Sequence, residues 1–280
     1  MNTEEFKKHL IYEEKSEATV ARYVRDVTAY MAWLNGREIS KELNIMYKAE
    51  LEGKYEAASV NTMLSSLNSY FEYIGHPEYK VKNLRVQQNV FINPNKELTK
   101  EEYERLLRTA YNMGKHRIYC VMQTICSCGI RVSELQYITV EAVKSGVAYV
   151  TGKCKSRTVY LPEKLIRLLK EYIKMKGIEK GSVFVTRTGR PLDRSNIWTE
   201  MKKLCIRAGV LASKVFPHSL RHLFARTYYK LHQDVVRLAD ILGHSSVNTT
   251  RIYTAESGRI HYERIQLLDL VFDFKCRITT

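Results

Sequence analysis

Apolar residues with a helical period occupy the first third of the chain, and they restrict its fold more than any other feature. Val20, Tyr23, Val24, Val27, Tyr30, Met31 and Leu34 follow i, i+3, i+4, i+7 spacing, which lines them along one face of an amphipathic helix. Asn35-Gly36 supplies a C-terminal stop, since both residues tolerate left-handed backbone. Val60, Met63, Leu64, Leu67, Tyr70, Phe71 and Ile74 repeat the pattern, with Ser59 as candidate N-cap and Gly75-His76-Pro77 as terminator. Such stripes are core surfaces rather than a cofactor box. Residues 1–81 are therefore predicted to form a small helical bundle, with shorter helices around the two long ones.

Residues 82–97 lack periodicity and contain Asn93-Pro94-Asn95, as a linker would. A new element opens at Leu98-Thr99-Lys100-Glu101-Glu102-Tyr103: Thr99 can cap a helix, Glu102 can complete a capping box, and Leu98 against Tyr103 would form a hydrophobic staple. A second domain is predicted over 98–280, and 280 residues are ample for two cores. Val147–Val150 and Thr158–Leu161 read as two strands with Gly152-Lys153-Cys154-Lys155 at the hairpin tip. Val183-Phe184-Val185 reads as a further short strand. Helices are predicted over 163–176, 195–208, 218–231 and 234–242, with Gly177, Gly209 and Gly243 at three ends. The expected fold class is mainly α with a small antiparallel β-sheet: a helical N-terminal domain followed by a mixed α/β domain.

Charge narrows the function. Lys plus Arg number 45 against 30 Asp plus Glu, a formal net charge of +15. A field of that sign suits a polyanionic partner, most often nucleic acid; a basic protein with no such partner is the alternative. The excess lies in one part of the chain. Residues 1–90 hold 12 basic and 13 acidic side chains, residues 91–280 hold 33 and 17. No run approaches the roughly 18 apolar residues of a membrane span. The N-terminus is polar and acidic, unlike a signal peptide, so a cytoplasmic location is expected. Cys120, Cys126, Cys128, Cys154, Cys205 and Cys276 show no C-x-x-C spacing, which fits reduced thiols rather than a zinc site.

Three short segments carry the chemistry. In Gly129-Ile130-Arg131-Val132-Ser133-Glu134-Leu135, Arg131 precedes Glu134 by three residues, and a surface ion pair would account for that alone. In Pro217-His218-Ser219-Leu220-Arg221-His222, Pro217 can open a helix that places His218, Arg221 and His222 on one face. That face suits a phosphate. It also suits a solvated basic surface or a zinc pair, although Ser219 stands where a zinc-protease motif needs Glu. In Leu242-Gly243-His244, the histidine precedes Tyr253 by nine residues.

Taken in order, with a lysine hairpin between the first two, these segments resemble the tyrosine recombinase (phage integrase) family, in its simple two-domain, Xer-like form. The specific part of the resemblance runs from Arg131 to Tyr253. A looser similarity through Thr19, Tyr23 and Trp33 likens residues 1–81 to the family's SAM-like core-binding domain.

The resemblance implies site-specific cleavage and rejoining of DNA through a 3′-phosphotyrosyl intermediate, in integration, excision, inversion or dimer resolution. Tyr253 would be the nucleophile. Arg131 and Arg221 would each donate paired hydrogen bonds to nonbridging phosphate oxygens, doing what a metal does elsewhere, so neither metal nor cofactor is implied. Cationic neighbours would favour the Tyr253 phenolate, since a tyrosine with a pKa near ~10 is a poor nucleophile at neutral pH. His244 would be a third donor, His218 the general base toward Tyr253, and Glu134 a supporting acid.

A lysine of the hairpin would protonate the leaving 5′ oxygen. The family's G-K-G-x-K-x-R is one residue shorter here, Gly152-Lys153-Cys154-Lys155-Ser156-Arg157, which leaves both Lys153 and Lys155 in play. Lys153 directly follows the glycine, as in the common pattern. Lys155, Arg157, His222, Arg226 and Arg251 are candidate DNA contacts, Arg226 standing where the family often carries Thr; Arg22, Arg25, Lys80, Lys82 and Arg85 are candidates in the first domain. The implied partners are double-stranded DNA with specific core sites and further copies of the chain, a dimer per site and a homotetramer in all. The apolar C-terminal tail, Ile265 to Phe274, would dock into a neighbouring subunit or pack on its own domain. A type IB topoisomerase-like enzyme and a catalytically silent DNA-binding accessory protein are the competing classes.

Overall fold

The computed structural model describes residues 3–85, 97–151, 156–186, 188–244, 246–253 and 266–268. It divides into two compact units, Met1–Gln88 and Asn89–Thr280.

The first unit is a helical bundle of α1 (Thr3–Tyr12), α2 (Glu17–Leu34), α3 (Lys41–Lys54) and α4 (Ala57–Tyr73), followed by a 3-10 turn at Pro77–Tyr79. Both predicted stripes face its core, where Val27, Tyr30, Val60, Leu64 and Phe71 are buried beside Phe6 and Leu10 of α1. Asn35 closes α2 in the left-handed region, at φ 49°. Ser59, expected as the N-cap of α4, lies inside the helix instead. Ala57 and Ala58, strong helix formers, extend it by most of a turn to a Glu56 cap that makes no side-chain hydrogen bond. Residues 81–84 are clasped onto α4 by two asparagines. Asn68 exchanges hydrogen bonds with the backbone of Val81 at 2.9 and 3.0 Å, and Asn61 with that of Leu84 at 2.9 and 2.7 Å. The start of the expected linker is thus fastened to the first unit, because amide side chains take up its backbone groups; residues 86–96 lie outside the described residues.

The second unit opens as expected. Thr99 Oγ1 accepts from the Glu102 amide at 3.2 Å and Glu102 Oε2 accepts from the Thr99 amide at 2.9 Å, capping α5 (Lys100–Asn112). Leu98 is fully buried in a cluster against which Tyr103 packs. There follow α6 (His116–Cys128), a 3-10 segment at Val132–Tyr137, α7 (Val140–Ser145), strands β1 (Val147–Thr151) and β2 (Ser156–Tyr160), α8 (Glu163–Lys176), α9 (Arg194–Ala208), α10 (Pro217–His232), α11 (Val235–Leu242), α12 (Val247–Thr250) and a last 3-10 turn at Arg251–Tyr253. The strands pair antiparallel, Val147 opposite Tyr160 and Thr151 opposite Ser156. Ala148, Val150 and Val159 point inward, giving the alternation a half-buried hairpin needs.

The third strand does not form. Around Val183–Val185 there are only isolated bridges, Thr139 with Ser182 and Val185 with Pro191. Proline has no amide hydrogen to extend a ladder, and the backbone turns back at once, with the Gly189 amide donating to the Thr186 carbonyl at 3.1 Å. Val183 and Phe184 are buried as core residues of a loop.

The described cysteines Cys120, Cys126, Cys128 and Cys205 are free thiols. Burial pushes them up, Cys128 to about 11, so they are unreactive packing residues; Cys154 and Cys276 lie outside the described residues. None of the described helices is long and apolar enough to cross a membrane.

Candidate active site

Three separate stretches of the second unit meet at one guanidinium. Arg221 sits on α10, one turn in from Pro217, and is 1% exposed. Its Nη1 donates to the Gly129 carbonyl at 2.7 Å and its Nη2 to the Leu242 carbonyl, also at 2.7 Å. Gly129 is the C-cap of α6 and Leu242 is the last residue of α11, so the cation lies at the negative ends of two helix dipoles. Its Nη2 also lies 3.0 Å from His244 Nε2. The Nε–H is buried with no partner among the described residues. Burial lowers the Arg221 pKa to about 10, which leaves the group charged at neutral pH.

Backbone close approach explains the glycines. Gly129 has φ +61°, and a Cβ there would fall 2.4 Å from the Phe224 ring of α10. Gly243 has φ +65°, and a Cβ there would fall 2.9 Å from Arg157 Cδ. Each position is both left-handed and crowded, so only glycine fits without displacing a neighbour.

His244 is held at both ring nitrogens, Nε2 by Arg221 and Nδ1 by Thr250 Oγ1 at 2.7 Å. Burial first, then the charges of Arg221 and Arg131, push its pKa down to about 4. The neutral ring accepting at Nε2 from Arg221 must carry its proton on Nδ1. Thr250 is fully buried; no sequence signal marked it beyond its place on the segment that ends in Tyr253.

Tyr253 is 5% exposed on the last 3-10 turn. Its ring lies 6.3 Å from that of His244, nearly parallel, and 5.2 Å from that of His222, edge to face. His222 in turn lies 4.9 Å from His218. The cationic surroundings do not win at the phenol. Burial raises the Tyr253 pKa by more than Arg221 and Arg131 lower it, so the hydroxyl keeps its proton at neutral pH although both arginines favour the phenolate. His218 is held below its usual value by burial and by Arg221, Arg131 and Arg194, in that order. It is a neutral base at pH 7.

Arg131 and Glu134 form more than a surface pair. Glu134, its side chain 8% exposed, accepts from the Arg131 amide at 2.7 Å and from Arg131 Nη1 at 3.1 Å. Arg157 adds a two-pronged contact, Nη1 to Oε1 and Nη2 to Oε2, both at 2.8 Å. Burial works to raise the carboxyl pKa, but these bonds outweigh it and hold the pKa down. Arg131 itself stays 39% exposed on its side chain and reaches the Gly243 carbonyl at 3.4 Å.

Two candidate DNA contacts therefore face inward. Arg157 is engaged by Glu134, and Arg226 pairs with Glu97 and donates to the Leu98 carbonyl at 2.8 Å. Both positions are basic, and sequence alone did not show that acids and carbonyls stand opposite them. Arg251 is exposed on the turn that carries Tyr253. Lys153 and Lys155 lie outside the described residues. Among the described residues, no three His, Cys, Asp or Glu side chains are grouped to hold a metal ion.

The chain matches two family models, "Phage integrase family" over residues 96–259 and "Phage integrase, N-terminal SAM-like domain" over residues 3–76. It is 30% identical to tyrosine recombinase XerA of Thermococcus kodakarensis over 279 residues, covering 95% of each chain. It is 27% identical to XerA of Pyrococcus furiosus over 277 residues, covering 96% of this chain and 94% of that one. Among solved structures, a lambda integrase (75–356) dimer bound to a core site superposes with TM-score 0.73 at 17% identity, over 91% of this chain and 95% of the other. A lambda integrase tetramer bound to a Holliday junction gives 0.70 at 18%, over 89% and 75%; at such identities these two establish the fold. With one family model spanning the cluster around Arg221 and the other the N-terminal bundle, the chain belongs to the phage integrase family.

Proposed function

We propose that this protein is a site-specific DNA recombinase that cuts and rejoins strands through Tyr253. The observation that carries the reading is the state of Arg221. A buried cation with one N–H lacking a partner among the described residues, its charge acting on the tyrosine, calls for an anion, and leaving such a donor unpaired is costly.

A DNA phosphate seated against Arg221 and the exposed part of Arg131 would supply that anion and collect charge-assisted hydrogen bonds as negative charge builds on its oxygens. Tyr253 Oη attacks phosphorus and its proton passes to neutral His218. The bond to the 5′ oxygen breaks, and Lys153 or Lys155 of the β1–β2 hairpin protonates that oxygen. Attack by a 5′ hydroxyl of a second duplex reverses the steps and releases Tyr253. The ester energy is conserved, so no nucleotide cofactor enters. Glu134 fixes Arg131, and His244 would become the third donor once its ring proton moves to Nε2 and that nitrogen turns from Arg221 to the phosphate.

By likeness to the relatives, the partner is duplex DNA with short core sites, bound by a dimer at each site and by four copies in strand exchange, in the cytoplasm. Residues 1–81 would form the core-binding half, 82–97 a linker and 98–280 the half that cuts, with its tail engaged in or between subunits.

The test uses a nicked duplex carrying a site selected by the chain's own binding. A denaturant-stable protein–DNA adduct is expected, and Tyr253→Phe should abolish it while leaving binding within about twofold. DNA bound tightly with no adduct would move the chain to the accessory class, and relaxation of supercoils without exchange between two marked sites would make it a topoisomerase.

A further inference from the structure

Arg157, like Arg221, turns all three guanidinium nitrogens into the protein. It lies on β2 opposite Val150, its side chain 14% exposed. Nη1 and Nη2 clasp Glu134, and Nε donates to the Ile241 carbonyl at 3.1 Å. Its aliphatic stem and Nη1 pass so close to Gly243 that a Cβ there would sit 2.9 and 3.0 Å from them. The contact is thus matched from both sides: a forked cation on the strand and a missing side chain on the loop.

These bonds link three parts of the site. Glu134 positions Arg131 through both its amide and its guanidinium. Ile241 and Gly243 flank Leu242, whose carbonyl holds Arg221, and Gly243 directly precedes His244. The strand that carries Arg157 begins at Ser156, directly after Lys155 in sequence.

We infer that Arg157 is a positioning residue of the cleavage reaction: it locks Glu134, and through Glu134 the guanidinium of Arg131, against the loop that presents His244, rather than contacting DNA. Loss of the fork would leave both outer lone pairs of a buried carboxylate open. Arg131 would then turn to fill them with its own fork, away from the phosphate. A planar guanidinium serves this geometry and an ammonium does not, and misplacement of a reacting partner by about 1 Å is enough to cost on the order of 100-fold in rate.

This inference rests on the recombinase reading, and its test keeps the two apart. In the full chain, single-turnover adduct formation on the nicked duplex is measured at saturating DNA for wild type, Arg157→Lys, Arg157→Gln, Glu134→Gln and the Arg157→Gln/Glu134→Gln double variant, with affinity and circular dichroism alongside. Arg157→Lys keeps the charge and guards against loss of fold. Expected are adduct rates down about 10- to 100-fold for both Arg157 variants with affinity within about twofold. The double variant should be little slower than Glu134→Gln alone, since residues acting through one another are not additive. The acidic limb of the Arg157→Gln rate profile should move to higher pH, because the carboxyl has lost the bonds that held its pKa down.

An unchanged rate, a loss confined to DNA affinity, or full additivity with Glu134→Gln would each overturn the inference while leaving the recombinase reading intact. Wild-type protein that binds the duplex and forms no adduct would overturn both.

Discussion

All three histidines around Tyr253 are kept neutral by their surroundings, His222 and His244 most strongly. Burial first, then neighbouring cations and His218, push the pKa values of His222 and His244 down to about 4. An unfolded histidine titrates near ~6.5. Between those values the unfolded chain takes up protons that the folded one refuses, so stability rises with pH across that window and is lost as pH falls from about 6.5 toward 4. The urea midpoint of the full chain should drop over this range, and His222→Gln should remove part of the drop; a midpoint flat in both proteins would contradict the assignment. The spacing of Arg131, Glu134, His218, Arg221, His244 and Tyr253 was legible in the sequence because each falls at a fixed offset within a short segment. The inward turn of Arg157 and the support from Thr250 were not. Both depend on which loop lies across from them, and a basic or hydroxyl residue looks the same whether it meets a carboxylate, a ring nitrogen or water.

At the scale of elements, local chemistry decided what could be read. Thr99 with Glu102, Pro217, and the stops at Asn35, Gly177, Gly209 and Gly243 each act within one turn, and all lie where the spacing placed them. Thr99→Ala removes an N-cap oxygen and should cost about 1 kcal/mol, seen as a fall in Tm of about 2–4 °C for a unit of this size. Ser59→Ala is the contrast: inside α4 it should change Tm by much less, since no cap is lost. The strand expected at Val183–Val185 shows the limit of such reading. Its residues have the right composition, but a strand needs a partner ladder, and the presence of Pro191 opposite Val185 is a long-range fact. The clasp of Asn61 and Asn68 on residues 81–84 was hidden for the same reason, asparagine being as common on a solvated helix face.

For the whole molecule, the chain divides between Gln88 and Asn89, within the stretch 82–97 whose lack of periodicity is visible in the sequence, while the functional asymmetry came from charge. With the entire positive excess beyond residue 90, DNA binding by the full chain should release many counterions. Its affinity should fall on the order of 1,000-fold or more between 50 and 200 mM salt, as for proteins making six or more phosphate contacts. Affinity indifferent to salt in a filter-binding titration would argue against a phosphate-led interface. A different consequence follows from the seat of Arg221 on the carbonyls of Gly129 and Leu242. The same side chain ties down the ends of α6 and α11, so a lineage that stopped cutting DNA would still be selected to keep it for folding. Among the described residues the Tyr253 hydroxyl ties down no helix end, and it would be free to drift. In telling working descendants of such a chain from retired ones, the tyrosine is informative and the arginine is a poor witness.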